Sequence, residues 1–102
     1  MKKLIIAIMI IITPAITMAE EEKSTCETYA GFGKQIMELR QQEFPLNKLM
    51  GTFADKNPGA KKLMKSIVVR AYRKPCYTTD SYKEKAIKRF YNKLYLECLQ
   101  AK

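Results

Sequence analysis

Cys26 and Cys98 stand 72 residues apart, near the two ends of the part of the chain that can fold. One lies in the first turn of the first helix-forming stretch and the other in the last turn of the final one. At about 100° per residue, Cys26 falls in the middle of an apolar face with Ala30, Gly33 and Met37. Cys98 falls likewise among Ile87, Tyr91 and Leu94. A Cys26–Cys98 disulfide would tie both ends of the domain together through its core. Closing a loop of about 70 residues removes on the order of 4 kcal/mol of unfolded-chain entropy. That is comparable with the whole stability of a small domain. The alternative is a pair of buried free thiols.

Between the two cysteines, apolar periodicity and turn residues define four helices and no strand. The first is predicted from Thr25 to Gln42, with Cys26, Tyr29, Ala30, Gly33, Ile36 and Met37 on one face and Ser24 or Thr25 as its cap. Phe44-Pro45 ends it. The second runs from Pro45 to Lys56 on a stripe of Leu46, Leu49, Met50 and Phe53, and Asn57-Pro58-Gly59 marks a turn. The third runs from Ala60 to Arg73 with Leu63, Met64, Ile67, Val68 and Ala71 on its face; Pro75 disfavours helix at the residue before it. The fourth begins at Asp80 or Ser81, where Ser81 and Glu84 form a capping-box pair. Ile87, Phe90, Tyr91, Leu94, Tyr95 and Cys98 make its stripe. The connections are short, so neighbouring helices pack antiparallel or at steep angles. The fold class is all-α, a compact four-helix domain.

The N-terminus decides the compartment. In MKKLIIAIMIIITPAITMA, Lys2 and Lys3 precede an unbroken apolar run from Leu4 to Ile12, Pro14 breaks it, and Thr17-Met18-Ala19 offers a cleavage site. The run is shorter than the roughly 20 apolar residues that span a bilayer, so residues 1–19 read as a secretory signal peptide rather than an anchor. Residues 20–24 form an acidic tail and 25–102 the helical domain. Location in the periplasm or outside the cell supplies the oxidising conditions that disulfides need. Cleavage leaves 83 of the 102 residues and lowers the net charge from +9 to +7. Glu20, Glu21 and Glu22 cluster in the tail, so the body from Lys23 onward carries +10. A body this basic usually meets nucleic acid, but export redirects the expectation to an acidic protein or an anionic envelope component.

The pairing of Cys26 with Cys98 leaves Cys76 as a free thiol in the loop Lys74-Pro75-Cys76-Tyr77-Thr78-Thr79, near Arg70, Arg73 and Lys74. Neighbouring cations favour a thiolate, so Cys76 could form an intermolecular bond, and hence a Cys76-linked dimer, or react with oxidants. The plainer reading is a half-buried small side chain packed under Tyr77. No Cys-x-x-Cys redox pair is present.

Cys26, the stretch "TYAGFGKQIMELRQQEFP" with its Arg40-Gln41 pair, "IVVRAYRKPCY" and the closing "AIKRFYNKLYLEC" resemble a family of small exported proteins of proteobacteria and their phages. The shared pattern is a cysteine opening the first helix, Arg-Gln near its end, an Ala-Tyr-x-x-Pro turn, and a cysteine closing the last helix. The resemblance spans residues 26 to 98. It implies Cys26–Cys98 as the structural pair, leaves Cys76 outside the pattern, and carries over no catalytic residue.

Catalytic chemistry finds little support. Histidine is absent, which removes the commonest general base and metal ligand at neutral pH. Three cysteines could hold zinc only with a fourth ligand, and disulfide formation competes. No cofactor, metal site or enzyme activity is expected. The basic faces are more informative. Lys85, Lys88, Arg89 and Lys93 lie on the arc of the fourth helix opposite its apolar stripe, and Lys61, Lys62, Lys65 and Arg73 on that of the third. Val69 and Leu96 interrupt these faces as apolar spots. Lys85, Lys88, Arg89 and Lys93, with Val69 and Leu96, are the candidate partner-binding residues. Arg40, at the edge of an apolar stripe, needs a helix-end carbonyl or a carboxylate. The leading expectation is a non-catalytic exported binding or modulator protein. The alternatives are a cationic membrane-active or toxin-like protein and a thiol-dependent redox protein built on Cys76.

Overall fold

The computed structural model describes residues 23–101; the signal peptide and Glu20–Glu22 lie outside them. Helix α1 covers residues 23–41 of the described chain. A short α2, Leu46–Leu49, continues as a π-helical turn, Met50–Asp55. A 3-10 turn, Pro58–Ala60, leads into α3, Lys61–Tyr72, and α4 runs from Asp80 to Gln100. No strand is present among the described residues.

Helices α1 and α4 lie antiparallel along their whole shared length. Cys26 is bonded to Cys98 with their Cα atoms 5.5 Å apart. Gly33 sits against Leu94 and Phe90, and Gln41 at the end of α1 meets Lys83 in the first turn of α4. A Cβ at Gly33 would overlap Leu94 Cδ1, so the buried Leu94 side chain would have to move to admit any larger residue. Helix α3 packs on α2 and the π-helical segment. The core draws on all four: Ala30, Ile36 and Met37; Leu49, Phe53 and Ala54; Met64, Ile67, Val68 and Ala71; Phe90 and Leu94. Arg70 crosses from α3 to Glu97 of α4 as a two-pronged ion pair, 2.9 Å at each prong. The hydrogen bonds to Glu97 raise the Arg70 pKa and lower that of Glu97.

Several local expectations shift. Lys23 and Ser24 are already helical, so neither Ser24 nor Thr25 caps α1. Its C-terminus closes through Phe44 N–H to Leu39 O and Glu43 N–H to Arg40 O, both 3.0 Å. This places Glu43 in the left-handed region, φ 61°, where glycine is usual. Helix α4 is capped by Thr79, whose hydroxyl accepts from the Tyr82 N–H at 3.3 Å. Thr79 is the last extended residue before the helix, so Ser81 falls inside it and its capping box does not form. Leu46 and Leu63, assigned to apolar stripes, are exposed. Among the described residues no helix is long and apolar enough to cross a membrane. The disulfide fits an oxidising compartment.

Candidate functional site: a basic cleft beside a locked loop

The segment joining α3 to α4 has no helical hydrogen bonds of its own between Pro75 and Tyr77, so its polar groups need partners elsewhere. The end of α1 supplies them. Gln41 is buried, 2 % exposed. Its Nε2 donates to Pro75 O at 2.9 Å, and its Oε1 accepts the Tyr77 N–H at 2.9 Å. Two backbone groups flanking Cys76 are thus satisfied by one carboxamide, much as a neighbouring strand would satisfy them. The second amide hydrogen faces Met37 Sδ at 3.5 Å.

Arg40 fixes the residue before. Its Nε and Nη2 donate to Lys74 O at 3.2 and 3.1 Å, and its guanidinium lies 4.9 Å from the centre of the Tyr72 ring. The acceptor is a loop carbonyl just past the end of α3, where a helix-end carbonyl or a carboxylate was expected. The Tyr72 hydroxyl donates to Phe44 O. Burial raises the Tyr72 pKa, with the Arg40 charge opposing.

Cys76 is the free cysteine, half-buried. Its thiol donates to the backbone oxygen of Gln41 at 3.4 Å. Lys83 donates to the same oxygen and reaches Cys76 Sγ at 3.9 Å. That oxygen belongs to the last turn of α1, where carbonyls lack helical partners and the helix dipole favours a cation. Lys83, which the sequence did not single out, is thus the cation in contact with the thiol.

On the far side of this loop, α4 and the end of α1 enclose a cleft of about 160 Å³. Met37, Ala86 and Phe90 form its apolar floor. Lys74, Lys85, Arg89 and Lys93 surround it, with Tyr77 and Tyr82 as one wall, and no carboxylate among the described residues lines it. The two rings are 5.8 Å apart and Lys85 lies 5.4 Å from the Tyr82 ring centre.

The structure divides the six candidate residues. Lys85, Arg89 and Lys93 share this cleft, because spacings of four keep them in one row along α4. Lys88 points into a separate groove with Lys34, Ile87, Tyr91 and Asn92. Val69 is half-buried in a shallow surface of α3 with Lys62, Lys65, Arg70 and Arg73. Leu96 is exposed on α4, 53 %, and does not line the cleft. Sequence reasoning missed Gln41, Lys83, Tyr77 and Tyr82. Gln41 left one trace: a polar residue four positions after Met37, on the apolar side of α1.

The fold and site define a disulfide-closed, all-α domain with a preformed basic cleft. No family model matches the chain, and no curated protein or solved structure is similar to it.

Proposed function

We propose that the chain is a small exported protein, periplasmic or secreted, that acts without catalysis by binding an acidic partner. The basic cleft carries this reading: among the described residues, four cations and no carboxylate surround an apolar floor. Such an arrangement attracts anionic partners and orients them as they approach. The signal-peptide pattern and the Cys26–Cys98 bond support an extracytoplasmic setting. An acidic protein of the envelope is the partner class that suits both, and a modulator or inhibitor role follows from binding without chemistry.

The test is capture from a periplasmic or envelope extract with the mature protein, beside a variant carrying Lys85→Glu, Arg89→Glu and Lys93→Glu. The proposal expects an acidic protein retained by the parent and lost by the variant. Equal recovery on both, or none, removes it. Release of dye from anionic vesicles at micromolar protein would favour a membrane-active protein instead.

A further inference from the structure

Resting on that reading, we propose that the cleft between the 74–82 segment and α4 takes an acidic peptide segment of a partner protein. One aromatic or branched aliphatic side chain of that segment fills the apolar floor, and carboxylates on either side pair with the rim.

Size limits the occupant. At about 160 Å³ the cleft is smaller than small-molecule pockets, which start near 300 Å³, and suits one large side chain. Lys85, Arg89 and Lys93 follow one another at intervals of four, so their row extends for about 12 Å along the helix. Several linked carboxylates match such a row, and a single headgroup does not. The apolar floor of Ala86 and Phe90 lies at the bottom of a concavity, whereas membrane-seeking surfaces present a convex apolar face. Tyr77 and Tyr82 pair with each other, and Lys85 sits over the Tyr82 ring. Tyr82 remains 57 % exposed, so competition with oligothymidylate is the arm of the test that separates a peptide from stacked bases.

The cleft is preorganised. Gln41 and Arg40 hold the backbone at Tyr77 and Lys74, and it is Tyr77 and Lys74 that line the cleft. Little loop ordering remains to be done on binding, which favours affinity. Gln41 is then a positioning residue for the cleft wall, acting through the Tyr77 N–H.

The experiment uses a fluorescein-labelled peptide of twelve residues, rich in glutamate with one central phenylalanine, and a counterpart with serine in its place. Anisotropy at low salt should show the phenylalanine peptide binding the mature protein about tenfold or more tightly than the serine peptide, as expected of an anchor side chain. Ala86→Trp, which fills the floor and keeps every charge, should abolish that difference while retaining the weaker charge-driven binding. Arg89→Glu should weaken both peptides. Lys62→Glu with Lys65→Glu on α3 should leave the phenylalanine preference intact. Circular dichroism establishes that each variant is folded. Equal binding of the two peptides, or a preference that survives Ala86→Trp, overturns the proposal. Displacement of the phenylalanine peptide by phosphatidylglycerol vesicles or by oligothymidylate, at matched charge, also overturns it. An acidic partner captured equally by the parent and Ala86→Trp would sink the cleft as the docking site and leave the broader function standing. A cleft that prefers phenylalanine in a protein that captures no partner would do the reverse.

Discussion

The buried side-chain oxygen of Gln41 accepts the backbone N–H of Tyr77 at 2.9 Å, joining the end of α1 to the loop that precedes α4. Because Nε2 also donates to Pro75 O at 2.9 Å, removing the carboxamide strands both a donor and an acceptor. Gln41→Leu should therefore cost about 2–6 kcal/mol, at about 1–3 kcal/mol for each of the two groups left unpaired. Chemical denaturation measures it. Gln41→Glu should cost more at neutral pH, where its carboxylate faces Pro75 O, and should recover part of the loss in acid, where the protonated group can donate again.

Gly31 and Gly33 lie in the same helix and should respond oppositely to alanine. At Gly31 a Cβ meets nothing within 4 Å, so alanine should stabilise by roughly 0.5–1 kcal/mol. At Gly33 the same methyl would overlap Leu94 Cδ1, with Phe90 Cε2 at 3.4 Å. Overpacking of about 1–3 kcal/mol should outweigh the gain in helix propensity. The two melting temperatures, compared with the parent, decide it.

Glu43 occupies a left-handed conformation, φ 61°, which costs an L-residue roughly 1–2 kcal/mol. Glycine at this position should raise stability by about 0.5–1 kcal/mol, the relief being partly offset by greater freedom of the unfolded chain. A thermal melt of Glu43→Gly that falls below the parent would count against this account.

Acid should weaken the tie between α3 and α4. Hydrogen bonding to Arg70 holds the Glu97 carboxyl below its ordinary value of 4.5. A lowered folded-state pKa means stability that is present above 4.5 and is lost as pH falls through the folded value. Glu97 is 42 % exposed, so solvent screening keeps the contribution to about 1 kcal/mol or less. Glu97→Gln should show a shallower loss of stability across this window than the parent. Parallel pH profiles would refute the linkage.

The Cys26–Cys98 bond closes a sequence separation of 72 residues. Replacing both cysteines by serine should cost about 4 kcal/mol in the chain-entropy model, a large share of a small domain's stability. Cys76→Ser should cost far less, since a hydroxyl can take over the donation to Gln41 O. Non-reducing mass spectrometry of the parent should find one internal bond and one alkylatable thiol, at Cys76.

The helices and their apolar faces were legible in the sequence, because burial of a stripe every 3.6 residues leaves a local signature. Helical phase, the positions at the two ends and an oxidising compartment together favoured Cys26–Cys98 over two buried thiols, and Arg40 was expected at a helix-end carbonyl or a carboxylate. The cap of α4 was misassigned from Ser81, because Thr79, Ser81 and Glu84 offer overlapping patterns and only backbone geometry chooses among them. The π-helical turn at Met50–Asp55 left no periodic trace distinguishable from an α-helix over so few residues.

The order and number of the helices, most of their inward faces and the cation-rich composition were set by local chemistry that a sequence records directly. Only the tertiary structure decided that Gln41 meets a loop 34 to 36 residues away, that Lys83 stands beside Cys76, and that Lys88 parts company with Lys85, Arg89 and Lys93. The reason is physical: periodicity tells which face of a helix is buried, but not which neighbour buries it. The cleft exists because the antiparallel seating of α4 on α1 brings the locked loop alongside the row of cations.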